Sequence, residues 1–286
     1  MLRTILTKRT DLALAPPAVY ALKAAHTRLR SLAWRLSGGG QPDAQGFRIL
    51  YYHRISDDDD ELAVTPRRFG EQMACLADQG YRGLDVVTAL GAAPGAVGLA
   101  FDDGYADIAE RARPELERHG FTATVFLATG VTDGRARFSW YERQPPLLTW
   151  DEVAKLDGGA FHFEAHTVTH PNLLALEDEA AREEISGSKR ELEERLDREV
   201  TAFCYPAGLF GDRDVRLVAQ AGYAVACSCE PGVNTAATDR LRLHRIQVDA
   251  RDSLLDFRAK LGGGFDRASR LRALWRGRRY GESSRS

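Results

Sequence analysis

The chain has 286 residues and a formal net charge of −2 at pH 7, with 44% hydrophobic and 28% charged residues. That is long enough to bury a large core, too apolar for a disordered chain, and too evenly charged for a dominant nucleic-acid-binding surface. Four Cys (Cys75, Cys204, Cys227, Cys229) with no C-x-x-C spacing exclude a disulfide scaffold, a zinc ribbon and a thioredoxin motif, and are expected to be reduced thiols.

Charge is uneven along the chain. Residues 1–45 carry +5 and residues 267–286 carry +6, so an acidic body of −13 lies between two basic ends. The ends are read first as solvated, with contact to anionic lipid, to nucleic acid or to the acidic body itself as the alternatives. No run reaches the ~18 apolar residues that a spanning helix needs. The run Leu12–Leu22 resembles a signal peptide, but Asp11 abuts it and Pro16-Pro17 interrupt it. Val19, Leu22, His26, Leu29, Ala33 and Leu36 then recur at helical spacing with Lys23, Arg28, Arg30 and Arg35 beside them. They predict an amphipathic helix, packed on the domain or lying on a membrane or partner. Ser37-Gly38-Gly39-Gly40 reads as a linker.

From Phe47 the texture changes. Phe47–Tyr52 predicts a strand, Asp57–Glu61 a solvated acidic loop, and Pro66 opens a helix that carries Phe69, Met73 and Leu76 and stops at Gly80. Val97–Phe101 predicts a strand and Ala106–His119 one helix ended by Gly120. Thr122–Leu127 is apolar enough for a strand buried on both faces, and Thr149 caps a short helix through Leu156. Ala160–Glu164, Ala202–Tyr205, Ala224–Cys229 and Leu243–Val248 predict further strands. Glu177–Leu196 and Arg213–Ala221 predict the helices among them, and Gly262-Gly263-Gly264 marks the end of the domain. Alternating strands and helices predict a parallel sheet of βα units, open or closed into a barrel.

In such a sheet the chemistry sits at the C-terminal ends of the strands. Those ends deliver His53 and Arg54, then Asp102-Asp103-Gly104, then His166-Thr167-Val168-Thr169-His170, then Tyr205-Pro206-Ala207-Gly208, while the last strand carries His244 and Arg245. Two adjacent carboxylates repel unless a cation lies near or one takes a proton. β-Branched Thr167, Val168 and Thr169 with Pro171 after them favour a loop for the two imidazoles. Two His and one carboxylate are a ligand set for a divalent ion that keeps positions open for water.

Ala100-Phe101-Asp102-Asp103-Gly104 and His166-Thr167-Val168-Thr169-His170 resemble the first two motifs of the polysaccharide deacetylases. Tyr51-Tyr52-His53-Arg54-Ile55 and His170-Pro171-Asn172-Leu173 are similar to the subgroup of bacterial exopolysaccharide N-deacetylases. The resemblance covers residues 46–262, between an extension at 1–45 and an Arg-rich tail at 263–286. It implies an α/β fold, a distorted (β/α) barrel of about seven strands with an N-terminal helical extension and a basic C-terminal tail. The implied reaction is metal-dependent hydrolysis of an N-acetyl amide, or less often an O-acetyl ester, on a sugar.

By that resemblance Asp103, His166 and His170 hold the metal, zinc first and cobalt, nickel or iron as alternatives. Asp102 is the general base, His244 the acid, and a backbone N–H of the Tyr205-Pro206-Ala207 turn meets the oxyanion. His53 is a second candidate for the pocket, or a histidine fixed by hydrogen bonds under the rim. The third motif departs from the pattern. Cys204 stands where the family has an Arg that orients the base, with Arg54 or Arg245 as the replacement. No Trp lies between Trp150 and Trp275, so the wall beside the acid is absent or rebuilt. The expected partner is an acetylated glycan or lipid-linked saccharide, and the expected location is the cytoplasm, with peripheral contact at the inner membrane face. A small amide or imide as substrate, and a non-catalytic glycan-binding barrel, are the competing readings.

Overall fold

The computed structural model describes residues 17–39, 46–92 and 94–266. The run Leu12–Leu22 falls partly outside the described residues, as does the linker around Gly40, and most of the Arg-rich tail does. Helix α1 (Pro17–Leu36) comes first, followed by β1 (Arg48–Tyr52), the short pair β2 (Arg54–Ile55) and β3 (Ala63–Val64), and α2 (Pro66–Asp78). Next come β4 (Arg82–Leu84), α3 (Val86–Leu90), β5 (Ala96–Asp102), α4 (Asp107–Arg111), α5 (Arg113–His119), β6 (Ala123–Leu127), α6 (Thr129–Thr132) and α7 (Trp150–Leu156). The chain continues through β7 (Phe161–Ala165), α8 (Asp178–Leu196), β8 (Ala202–Cys204), α9 (Asp212–Gln220), β9 (Val225–Cys227), β10 (Ile246–Gln247) and α10 (Leu254–Leu261).

The main sheet runs β10-β1-β5-β6-β7-β8-β9, with β4 also on β5, and every pair is parallel. A bridge from Cys227 of β9 to Leu243, three residues before β10, draws the two ends of the sheet together. The result is the distorted barrel with helices outside it. Side chains alternate across the strands. Ile49, Tyr51, Ala100, Phe126, Ala202, Cys204, Val225 and Cys227 fill the interior. Their neighbours Leu50, Tyr52, Phe101, Val125, Leu127, Phe163 and Phe203 pack outward under the helices. Both faces are buried, so these strands read as nearly continuous apolar runs.

Some elements differ from their sequence reading. Ala106–His119 is two helices, because Pro114 has no N–H to donate and its ring crowds the preceding turn. The last strand shrinks to Ile246–Gln247, while β4 and α3 were not legible. Helix α1 does pack on the domain, against α10, but by the opposite face from the one its spacing selects. Ser31 is buried and its hydroxyl donates to Asp256 at 2.6 Å, and Trp34 Nε1 donates to the Gly262 carbonyl at 3.2 Å. Asp256 also belongs to the capping box of α10 with Ser253. These polar anchors choose the face, and Leu29 and Leu36 turn outward.

Candidate active site

The DDG segment begins where β5 ends. Asp103 has φ 74° and Gly104 φ 73°, so the backbone turns sharply off the sheet. A Cβ on Gly104 would fall 2.2 Å from Leu127 Cδ2, which leaves glycine as the only residue that fits. The turn separates the two carboxylates. Asp102 continues the alternation and points into the barrel beside Arg245, whereas Asp103 is carried toward the His loop. Among the described residues five non-glycines have positive φ, and four of them (Asp103, Thr167, His170, Ala207) lie in these rim loops. Such strain persists only where surrounding contacts over-determine the backbone.

For the His loop those contacts come from α8. The Glu184 carboxylate accepts from the backbone N–H of Val168 (2.9 Å) and Thr169 (2.8 Å) and from the Thr169 hydroxyl (2.6 Å). Gly187 makes room on the same helix, since a Cβ there would stand 3.2 Å from Val168 Cγ2. The His166 Nδ1–H donates to the Cys204 carbonyl at 2.7 Å, which leaves Nε2 with its lone pair. Asp103 Oδ1 lies 3.8 Å from His166 Nε2 and 3.7 Å from His170 Nε2. The three ligand atoms all lie within 4.8 Å of one another.

The electrostatics of this trio are those of a cation site. Asp103 Oδ1 is buried and has no hydrogen-bond partner. Burial, and then the charge of Asp102, push the Asp103 carboxyl well above its ordinary range. Burial lowers His166 to about 4, against the pull of Asp102, and lowers His170 as well, with the neighbouring His166 adding to it. Two neutral imidazoles and one orphaned carboxylate oxygen therefore face one point, and a divalent ion fits them. Asp102, His166 and Cys204 also stand within reach of a common atom. Their donors are already engaged, however, and burial keeps the Cys204 thiol protonated by raising its pKa well above normal.

Arg245 settles which guanidinium replaces the one missing at Cys204. Its side chain is wholly buried, and Nη1 and Nη2 donate to the two oxygens of Asp102 at 2.7 and 2.8 Å. Nε donates to the Ser228 carbonyl at 2.9 Å, and the fork stacks 4.1 Å from the Tyr51 ring centroid. Burial alone would raise the Asp102 carboxyl, but Arg245 brings it down to about 2. Arg54 is committed elsewhere, to Asp58, Asp60 and Asp107.

The structure places two further expected residues as follows. His244 precedes Arg245, so alternation turns it away from the barrel interior when Arg245 turns in. Its ring packs on Gly232, where a Cβ would sit 2.8 Å from His244 Cγ, and its backbone bonds Asn234. Its Nδ1 is buried and has no hydrogen-bond partner. The Tyr205 side chain likewise faces the outer shell. Its ring stacks on Phe210 at 4.0 Å and its hydroxyl donates to the Leu241 carbonyl. Pro206 is buried, and Ala207 adopts φ 52° in a turn closed by Gly208 N–H to Tyr205 O and Leu209 N–H to Pro206 O. The Ala207 N–H lies outside those two bonds.

His53 follows β1 at the rim, edge-on to Tyr51 at 5.8 Å. Burial lowers its pKa, and Asp102, Arg245, Asp60 and Asp249 are the charges that it feels. Aromatic residues of the long β6–β7 connection stand beside His170. Trp140 and Phe138 lie 5.0 and 5.6 Å from the His170 ring, and Tyr141 donates to Asp60 at 2.7 Å. The run Phe138-Ser139-Trp140-Tyr141 is the sequence signal for these aromatics, and it precedes Trp150.

The family model described as polysaccharide deacetylase matches residues 91–226. That span holds Asp102, Asp103, His166 and His170 but neither His53 nor Arg245. YxkH of Bacillus subtilis, whose name assigns it provisionally to the polysaccharide deacetylases, is 27% identical over 207 residues, 70% of each chain. Among solved structures, the deacetylase PplD of Streptococcus pyogenes in complex with acetate is 26% identical, with a TM-score of 0.64 over 73% of this chain and 94% of its own. IcaB of Ammonifex degensii shares the fold, with a TM-score of 0.64, 18% identity, and coverage of 78% of this chain and 97% of its own.

Proposed function

We propose, for a chain that belongs to the polysaccharide deacetylase family through residues 91–226, that it hydrolyses the N-acetyl amide of an N-acetylhexosamine unit in a glycan or lipid-linked saccharide in the cytoplasm. The observation that carries this reading is the pairing of Asp103 Oδ1 with His166 and His170 Nε2 within 3.8 Å, beside an Asp102 held apart by Arg245. Asp103, His166 and His170 would hold a divalent ion, and zinc suits two imidazoles and one carboxylate. When bound, such an ion supplies Lewis acidity toward the acetyl oxygen and toward water.

The remaining work falls to the chain's own groups. Asp102 is ionised throughout the neutral range and accepts the proton of the attacking water. The Ala207 N–H meets the oxyanion as it develops. His53 rather than His244 is the donor to the leaving amine in this reading, because it follows β1 at the C-terminal rim, is not one of the three residues that would hold the ion, and has Asp102 among the charges that it feels. Trp140 and Phe138 keep bulk water from the His170 side of the site. PplD is described in complex with acetate, and acetate is the acid product expected here.

The test is acetate release from N-acetylglucosamine oligomers. Release is expected with added zinc, is expected to stop with a chelator and to return on refilling. No release from oligomers by protein with stoichiometric zinc would overturn the amide reading, and release only from O-acetylated glycans would transfer it to esters. The contact of Glu184 with the His loop predicts a companion result. Glu184→Ala is expected to weaken zinc binding roughly ten- to hundredfold in calorimetric titration, since three hydrogen bonds to residues 168 and 169 are lost together. Unchanged affinity would mean that the loop holds its shape without α8.

A further inference from the structure

The outward face of α1 is apolar and has a basic flank. Among the described residues the exposed large hydrophobics are Leu29, Leu32, Leu36, Val87 and Leu174, so three share this one helix, at 68%, 47% and 78% exposure. With Ala25 and Ala33 they span an arc of about 100°. Arg28 and Arg35, both exposed, border that arc, and Pro17–Leu36 contains no Asp or Glu. The helix cannot roll to hide the stripe. Ser31, Trp34 and Arg30 tie the other side to Asp256, Gly262 and Gly264.

The described chain ends close to the same helix. Arg30 lies over the Phe265 ring at 5.0 Å, and Asp266 pairs with Arg48 at 2.7 Å. Asp266, the last described residue, therefore stands near α1; in the sequence, residues 267–286 carry +6 and residues 1–16 include Arg3, Lys8 and Arg9. The body between carries −13. Arg48 opens β1, at the opposite end of the strands from Asp102, so a surface that covers α1 leaves the candidate active site uncovered.

We infer that this face of α1 docks on an anionic lipid bilayer, with Leu29, Leu32 and Leu36 inserted among the acyl chains and the arginines against the headgroups. A second copy of the chain is a poorer occupant, because a two-fold contact would set the same basic flank, Arg28 and Arg35, against itself. An anionic surface repels the acidic body and attracts only this side, which orients the protein as well as binding it.

The experiment is co-sedimentation of the full chain with vesicles of phosphatidylglycerol and phosphatidylcholine, and with pure phosphatidylcholine vesicles. Binding to the anionic vesicles at low salt is expected, weakening as salt is raised. Leu29→Glu with Leu36→Glu is expected to reduce the bound fraction about tenfold or more. Thermal melting and acetate release from a soluble oligomer should not change, since both side chains are exposed. If the Glu pair melts early, Leu29→Ser with Leu36→Ser replaces it, with the same expectation. Three results would overturn the inference. They are no sedimentation at low salt, binding that the double substitution leaves intact, and a concentration-dependent dimer that the same substitutions dissolve. Vesicle binding is read without catalysis, so its failure leaves the deacetylase reading untouched.

Discussion

Asp102→Asn is expected to lower acetate release roughly 10²- to 10⁴-fold while zinc still binds stoichiometrically. The amide keeps the shape of the carboxylate and cannot take the proton from water. The Asp103, His166 and His170 ligand atoms are not altered. The same change strands a charge, because Arg245 is wholly buried and Asp102 is its bidentate anionic partner. Removing one member of such a pair costs about 3–5 kcal/mol. Denaturant melts must therefore accompany the rates. The double variant Asp102→Asn with Arg245→Met removes both charges and is expected to recover much of the stability and none of the activity. Full activity in the single variant would remove Asp102 as the base.

Arg245→Lys is expected to lower kcat/KM roughly ten- to hundredfold. An ammonium cannot present two parallel N–H groups to Asp102 and also reach the Ser228 carbonyl. The pH profile separates this from a loss of packing. In the native protein burial raises the Asp102 carboxyl and Arg245 overrides it, down to about 2. Weakening the fork lets burial act, so the folded-state pKa rises and the base takes up its proton at higher pH. The acid limb of the rate profile is then expected to move toward neutrality. A lower rate with an unmoved acid limb would reduce Arg245 to a structural role. Arg245→Met is expected to be destabilised by about 3–5 kcal/mol, since the Asp102 charge is then buried without a partner.

Much of the candidate site was legible because its parts are contiguous. Asp102-Asp103-Gly104 and His166–His170 each carry their chemistry within five residues or fewer, at the end of a strand that aromatic and β-branched residues announce. The strand-end rule then gathers them on one rim. His244 and His53 show the limit of this reasoning. In a strand one position decides between the interior and the outer shell, and the boundaries of so short a strand as Ile246–Gln247 cannot be read to one residue. The same parity turns the Tyr205 ring outward, and a related ambiguity affects α1. Its apolar stripe selects one face, while Ser31 and Trp34 select the other through partners more than two hundred residues away.

From its sequence alone this protein was determined to be a set of parallel βα units with two carboxylates and two imidazoles at strand ends, because local propensity and hydrophobic period belong to neighbouring residues. Only the closed sheet decided that Arg245 rather than Arg54 grips Asp102 and that Trp140 lines the His170 side. Those outcomes depend on which side chains meet across the barrel, over separations as long as the 143 residues between Asp102 and Arg245. The curvature of the sheet and the in-or-out parity of each strand set such meetings, and no stretch of neighbouring residues records them.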